Sequence, residues 1–359
     1  MTDLAHPAAS KRIYSYDVIR VIAILAVVLI HAATNFVSRY PAGGTAFAVG
    51  NLADSIAHLG VPLFVMLSGA LMLNEEREVS AGQMIRAAIR ILVLLYIWSF
   101  FYAAGYRILY PLLTHRAVSL REFASAFVFG HYHMWYLFML VGLYLITPIL
   151  RAFVKKKNAD LVLYFILLSV LFRFLIPPLS ALLNRFTSFG DILTAYADTY
   201  EMGFVSPYAA YYLLGWYMTN VEIPKAARRW IYVLGGAGLL FTVLGSQFLT
   251  TYTQRVFEVF YSCKSLNIFA YSAAAFLFLN RRLSENESPR FAGSFAALAK
   301  RTFGVYLLHP LLLKLAEKFA FTSNVFIRIP LDWAVATVGS FLIVFLLSKI
   351  PLLKKLVRC

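Results

Sequence analysis

From Tyr14 to Ile350 the sequence is a succession of apolar runs, each about as long as a bilayer is thick and each closed by a short polar cluster. Few folds accept such a chain. Lipid offers no hydrogen bonds, so backbone that crosses it must bond to itself, as helices or as a closed barrel. Long unbroken apolar runs without strand-like alternation select helices. The runs lie near 14–37, 52–73, 86–110, 133–151, 160–179, 206–220, 229–248, 259–280, 302–321 and 331–350, the sixth being short and the eighth polar. The expected fold is all-α, a polytopic transmembrane helical bundle of about ten spans, with residues 1–359 forming a single membrane domain in the lipid bilayer. Composition agrees: 61% of residues are hydrophobic and 14% charged, where soluble domains hold roughly half and a quarter.

An even number of spans places both termini on one side. With the termini cytoplasmic, 21 Lys and Arg residues fall in inner connections and 7 in outer ones, the asymmetry of cytoplasmic loops. The net charge of +16 is then a property of topology. No zinc-finger spacing, RNA-binding sheet motif or basic heptad helix is present, so no nucleic acid is expected as a partner. Lys11 and Arg12 precede the first run as in a signal peptide. Asp17 and Arg20 interrupt its start and the run continues to about Val37, so it is read as an uncleaved span. Cys263 and Cys359 suggest neither a disulfide framework nor a metal site. His131-x-His133 supplies only two candidate ligands, and no metal is expected.

The first span is the most informative. Arg20 and His31 are 11 positions apart, three helical turns plus about 20°. Asp17 and Asn35 fall on the same face, so Asp17, Arg20, His31 and Asn35 form one polar stripe. Helix rise separates Arg20 from His31 by about 16 Å, too far for a direct pair. Two readings fit. Arg20 snorkels and pairs with Asp17 while His31 packs against a carbonyl; or Arg20 binds an anion, oriented by Asp17, while His31 acts on a substrate, oriented by Asn35. A ligand touching both must be long and anionic at one end, as acyl-coenzyme A is. Arg86 and Arg90 open the third span on one face, either as flanking charge or as further anion-binding groups. Arg173 lies within the fifth span and His58 within the second, and His309 precedes Pro310 in the ninth. Ser68-Gly69 lacks a nucleophile elbow and suits close helix packing instead. The outer segment from about Asn184 to Ser206, with Asp191, Asp198, Glu201 and several tyrosines, is either a surface loop or a polyol-binding one.

Four elements together resemble the acyltransferase-3 family of bacterial integral-membrane O-acyltransferases. They are Tyr16-Asp-Val-Ile-Arg20 with His31 eleven residues on, Val61-Pro-Leu-Phe-Val-Met-Leu-Ser-Gly69, the run His133-Met-Trp135-Tyr136 through Pro148, and Gly304-Val-Tyr-Leu-Leu-His309-Pro310. The nearest type is the one that acetylates surface polysaccharides such as enterobacterial common antigen. The resemblance implies a multi-pass protein of the bacterial cell inner membrane. It also implies transfer of an acetyl or other short acyl group from acetyl-CoA (acyl-CoA), the co-substrate, to a hydroxyl of an extracytoplasmic glycan or glycolipid acceptor. His31 becomes the expected catalytic residue, as general base or covalent acyl carrier, and Arg20, Arg86 and Arg90 the acyl-CoA-binding ones. Asp17 and Asn35 support them, and Trp135, Tyr136, Arg173 and His309 are secondary candidates. The family's Arg-x-x-Arg element is here Arg86-x-x-x-Arg90, and the hydrolase-like domain of many relatives is not expected. A transporter or flippase for small polar solutes or lipid-linked sugars is the competing class.

Overall fold

The computed structural model describes residues 12–285, 290–319 and 322–358; Lys11 and Cys359 lie outside the described residues. It is helical, without strands among the described residues. The helices are α1 (Tyr14–Arg39), α2 (Thr45–Ala57), α3 (Gly60–Met72), α4 (Ala81–Ala104), α5 (Tyr110–Leu113) and α6 (Leu120–Phe129). There follow α7 (Trp135–Phe153), α8 (Ala159–Ser169), α9 (Ile176–Leu183), α10 (Phe189–Asp198), α11 (Pro207–Asn220) and α12 (Lys225–Thr253). The chain ends with α13 (Leu266–Ser284), α14 (Ala292–Ala299), α15 (Thr302–Lys318), α16 (Val325–Leu347) and α17 (Pro351–Lys354).

Among the described residues, 8 helical runs are long and apolar enough to cross a membrane: Tyr14–Arg39, Thr45–Met72, Ala81–Leu113, Leu120–Phe153, Lys156–Leu183, Lys225–Thr253, Glu258–Ser284 and Val325–Leu347. The sixth and ninth expected runs form α11 and α15, helices of 14 and 17 residues that are largely buried. α11 lies against α3, and small residues permit it. A Cβ on Gly69 would sit 1.7 Å from the Tyr212 carbonyl oxygen, and one on Gly215 would sit 1.8 Å from that of Met66. The Ser68-Gly69 pair therefore serves packing, with the Ser68 hydroxyl bonded back to the Phe64 carbonyl.

Prolines explain several departures from simple spans. The second run begins at Thr45, ahead of the expected 52, and breaks after Ala57. Pro62 has no N–H for the His58 carbonyl, and Gly60 presses on α1, where a Cβ would meet the Ala23 oxygen at 2.9 Å. The fifth run widens into a π-helical stretch, Val170–Leu175, just before Pro177 and Pro178. In the third run Ser80 and Gln83 form a capping box that starts the helix at Ala81, ahead of the expected 86. α6 was not foreseen in the connection that follows; Gly130, at φ +74°, ends it and returns the chain toward α7. The segment after Asn184 is also partly helical: α10 packs on α9, and Asn184 donates to Asp191 at 2.7 Å.

Two apolar cores result. One centres on α3 and α11, with Leu63, Leu67, Tyr211, Tyr212 and Trp216. The other joins α1, α4, α7, α15 and α16 through Ile24, Val28, Ile91, Leu137, Val305 and Ala336. Val61, Phe64 and Tyr136 pack against both.

Candidate active site

α1 runs unbroken through Arg20 and His31, so the helical arithmetic above holds. Toward its far end His31 joins a cluster of three other histidines through His309. Its ring stacks on His309 of α15, with centroids 5.2 Å apart and planes at 24°, and contacts the Tyr132 ring edge-on at 5.1 Å. His309 in turn lies edge-on to His133 at 5.5 Å. His133 and His131 share a hydrogen bond between their Nδ1 atoms, 3.0 Å apart. His133 and His309 are buried, and His31 is partly open.

Tyrosines hold the cluster in place. The Tyr306 hydroxyl donates to the His133 carbonyl and the Tyr102 hydroxyl to the Leu307 carbonyl, both at 2.7 Å. Tyr102 also stacks on His131 at 4.3 Å. These bonds tie the start of α7 and the end of α4 to the middle of α15.

The tautomer of His309 follows from its neighbour. Pro310 offers no N–H, so the Tyr306 carbonyl has no helical donor. The Nδ1 of His309 lies 2.7 Å from that oxygen and 3.2 Å from the Val305 oxygen. A carbonyl only accepts, so Nδ1 carries the hydrogen and Nε2 keeps its lone pair. The Nε2 atoms of both His309 and His133 are buried without a hydrogen-bond partner. Buried polar atoms are usually satisfied, and exceptions mark sites of use.

A second histidine arrangement sits at the break between α2 and α3. His58 donates through Nδ1 to the Asp54 carbonyl at 2.8 Å, and the Asp54 carboxylate lies 3.5 Å from the same nitrogen. Tyr261 packs on His58, its ring 5.6 Å away, and donates to Asn51 at 2.7 Å. His58 lies within electrostatic reach of His31.

The near end of the stripe differs from expectation. Asp17 does not orient Arg20 by a salt bridge; it accepts a two-point ion pair from Arg12, at 2.5 and 2.9 Å. Arg12 precedes the helix and folds back, and its guanidinium fork matches the carboxylate. Arg20 is partly buried and lies within electrostatic reach of Asp17, Tyr136 and Tyr144, with no ion-pair partner among the described residues. Asn35 does not orient His31 either: its amide donates to Glu317 of α15. Arg86 and Arg90 are on the outer face of their helix. The register of α4 turns Met84, Ala88 and Ile91 inward and leaves both arginines exposed, with Arg90 donating to the Arg358 carbonyl at 3.2 Å.

Of the secondary candidates, the structure brings His309 to His31 and sets Tyr136 between the two ends, 5.6 Å from Tyr306. Trp135 is exposed and packs on Tyr208 instead. Arg173 is taken up by backbone carbonyls, those of Val205 at 2.8 Å and Met202 at 3.3 Å. The 184–206 segment lies on α9, apart from the cluster. Tyr102, Tyr132, Tyr306 and Glu317 were missed; only the His309-Pro310 step and the His131-x-His133 pair offered a local signal. No group of three or more His, Cys, Asp or Glu among the described residues converges as a metal cage.

The arrangement is a row: an arginine at one end, phenols between, and an imidazole cluster with unpartnered Nε2 atoms at the other. It suits proton transfer at one end of a long anionic ligand. Comparison with known families matches residues 13–349 to the acyltransferase-3 family, described as "Acyltransferase domain". No curated protein and no solved structure matches the chain.

Proposed function

The chain belongs to the acyltransferase-3 family, and on that premise we propose that it moves an acetyl or other short acyl group from acyl-CoA to a hydroxyl of an extracytoplasmic glycan or glycolipid. The observation that carries the reading is the chain of imidazoles that begins at His31, stacked on His309 and continued through His133 to His131, with His31 on the same helix face as Arg20 and about 16 Å along the helix from it.

In this scheme Arg20 binds the phosphates of coenzyme A at the cytoplasmic end. The thioester lies beside His31. The acceptor oxygen attacks the thioester carbonyl carbon as an imidazole of His31 takes the hydroxyl proton. A carbon–oxygen bond forms, the carbon–sulfur bond breaks, and the proton passes to the departing thiolate. A covalent variant has the His31 nitrogen attack first and hand the acyl group on. The aromatic walls exclude water, which would otherwise hydrolyse the thioester.

The test is His31→Ala, compared with the unaltered protein at equal membrane abundance. A general base contributes about a hundredfold or more, so glycan acylation from labelled acetyl-CoA should fall at least that far. Unchanged acylation would refute the scheme, and solute flux without acyl-CoA consumption would favour a transporter.

A further inference from the structure

A cavity of about 1070 Å³ opens between the end of α4, the π-helical turn at Gly105–Leu109 and α6. Its floor is His131 and Tyr132, the residues that touch His133 and His31. It therefore adjoins the histidine cluster through His131 and Tyr132. Three arginines and one glutamate line it: Arg107, Arg116, Arg121 and Glu122. Glu122 pairs with Arg107 at 3.0 Å, and Arg116 lies over the Tyr110 ring at 5.9 Å. Arg116 and Arg121 are exposed and have no carboxylate partner among the described residues. The inner wall is a pile of near-parallel rings: Tyr102 on His131 at 19°, and Tyr106 on His131 at 15°. Flat rings beside hydrogen-bonding tips accept the apolar face of a sugar, and guanidinium forks accept a carboxylate or phosphate.

A second feature adjoins it. A groove of about 560 Å³, lined by Ile89, Val93, Tyr96, Phe100 and Phe127 among others, runs along α4 and is almost wholly apolar. α6 contributes to both spaces, with Phe127 in the groove and Ser125, Ala126 and Phe129 in the cavity. A polar basic chamber beside an apolar furrow, both built on α4 and α6, fits a molecule with a charged sugar head and a hydrocarbon tail.

We infer that the acceptor is an anionic lipid-linked glycan, its head in the cavity with the charge on Arg116 and Arg121, and its chain along the groove. The acceptor hydroxyl then reaches the cluster past Tyr132 while acyl-CoA approaches from Arg20. This inference rests on the acyl-transfer reading of the cluster.

Binding and transfer are measured separately on the full-length protein in zwitterionic nanodiscs. The probes are dodecyl glucuronide, dodecyl glucoside, free glucuronic acid and phosphatidylglycerol. Dodecyl glucuronide should bind about tenfold or more tightly than the neutral glucoside. Arg116→Gln/Arg121→Gln should remove that difference and leave neutral binding unchanged; both side chains are exposed, so the fold is kept. Phe127→Ala should weaken the dodecyl compounds toward the level of free glucuronic acid. Equal binding of charged and neutral glycosides, or a preference that survives the double substitution, overturns the assignment of the arginines. Free glucuronic acid binding as well as its dodecyl form overturns the lipid tail, and phosphatidylglycerol competing equally overturns the sugar. Acyl transfer that is indifferent to His31→Ala refutes the acyl-transfer reading instead, whichever way binding falls.

Discussion

Replacing Gly69 with alanine should separate α3 from α11. The new Cβ would stand 1.7 Å from the Tyr212 oxygen and 2.5 Å from its carbon, where real contacts stay beyond 3.0 Å. The helices must part by more than an ångström, because no rotamer relieves a clash with backbone. Overpacking of this kind costs about 1–3 kcal/mol, occasionally more, and a backbone clash belongs at the upper end. Gly215→Ala meets Met66 in the same seam, at 1.8 Å from its oxygen. Once one substitution has parted the helices, the second enters space already opened. The double variant should therefore cost less than the two singles together, by about 0.5–3 kcal/mol of coupling. Reversible denaturation of the four proteins in mixed micelles measures this cycle. A Gly69→Ala protein within about 0.5 kcal/mol of the parent, the scale of neutral surface changes, would refute the contact; strict additivity would refute the shared seam.

Two further outcomes follow from the hydrogen bonds at either end of the site. Tyr102→Phe removes the donor to the Leu307 carbonyl but keeps the ring stack on His131. It should lower stability by about 1 kcal/mol in thermal unfolding, with acyl transfer within a few fold; a hundredfold loss would give the hydroxyl a place in the chemistry. Arg12→Gln frees Asp17 to claim Arg20, so the KM for acyl-CoA should rise several-fold with kcat kept, and Asp17→Asn in the same chain should restore it. An unchanged KM would show that Arg20 does not bind the donor.

The helical content and the stripe on α1 were legible because both are periodic, and period is a local property. Arg20 and His31 needed only the angle per residue to be placed on one face. Partners were not legible, because they come from distant sequence. Asn35 meets Glu317 across 282 residues, and nothing near Asn35 announces it. Arg12 outcompetes Arg20 for Asp17 because it lies outside the helix and is free to fold back, whereas i,i+3 spacing considers only residues within it. The break at His58 was legible in Pro62 and Gly60 but was outweighed by the length of the apolar run. Arg86 and Arg90 were grouped by charge, yet the register of α4, set by Met84, Ala88 and Ile91, points them outward. Arg173 was placed within the fifth span, and its guanidinium is met there by main-chain carbonyls that no side-chain pattern encodes.

The unbroken course of α1 has a bearing on donor choice. Residues 21–30 contain neither glycine nor proline, so the interval between Arg20 and His31 neither stretches nor folds. It works as a gauge of about 16 Å. On the proposed chemistry, a donor is admitted by the distance between its phosphate and its carbonyl, before the acyl group itself is tested. On that chemistry a short thioester or an acyl phosphate would occupy one mark of the gauge and never both, and would be rejected by length alone.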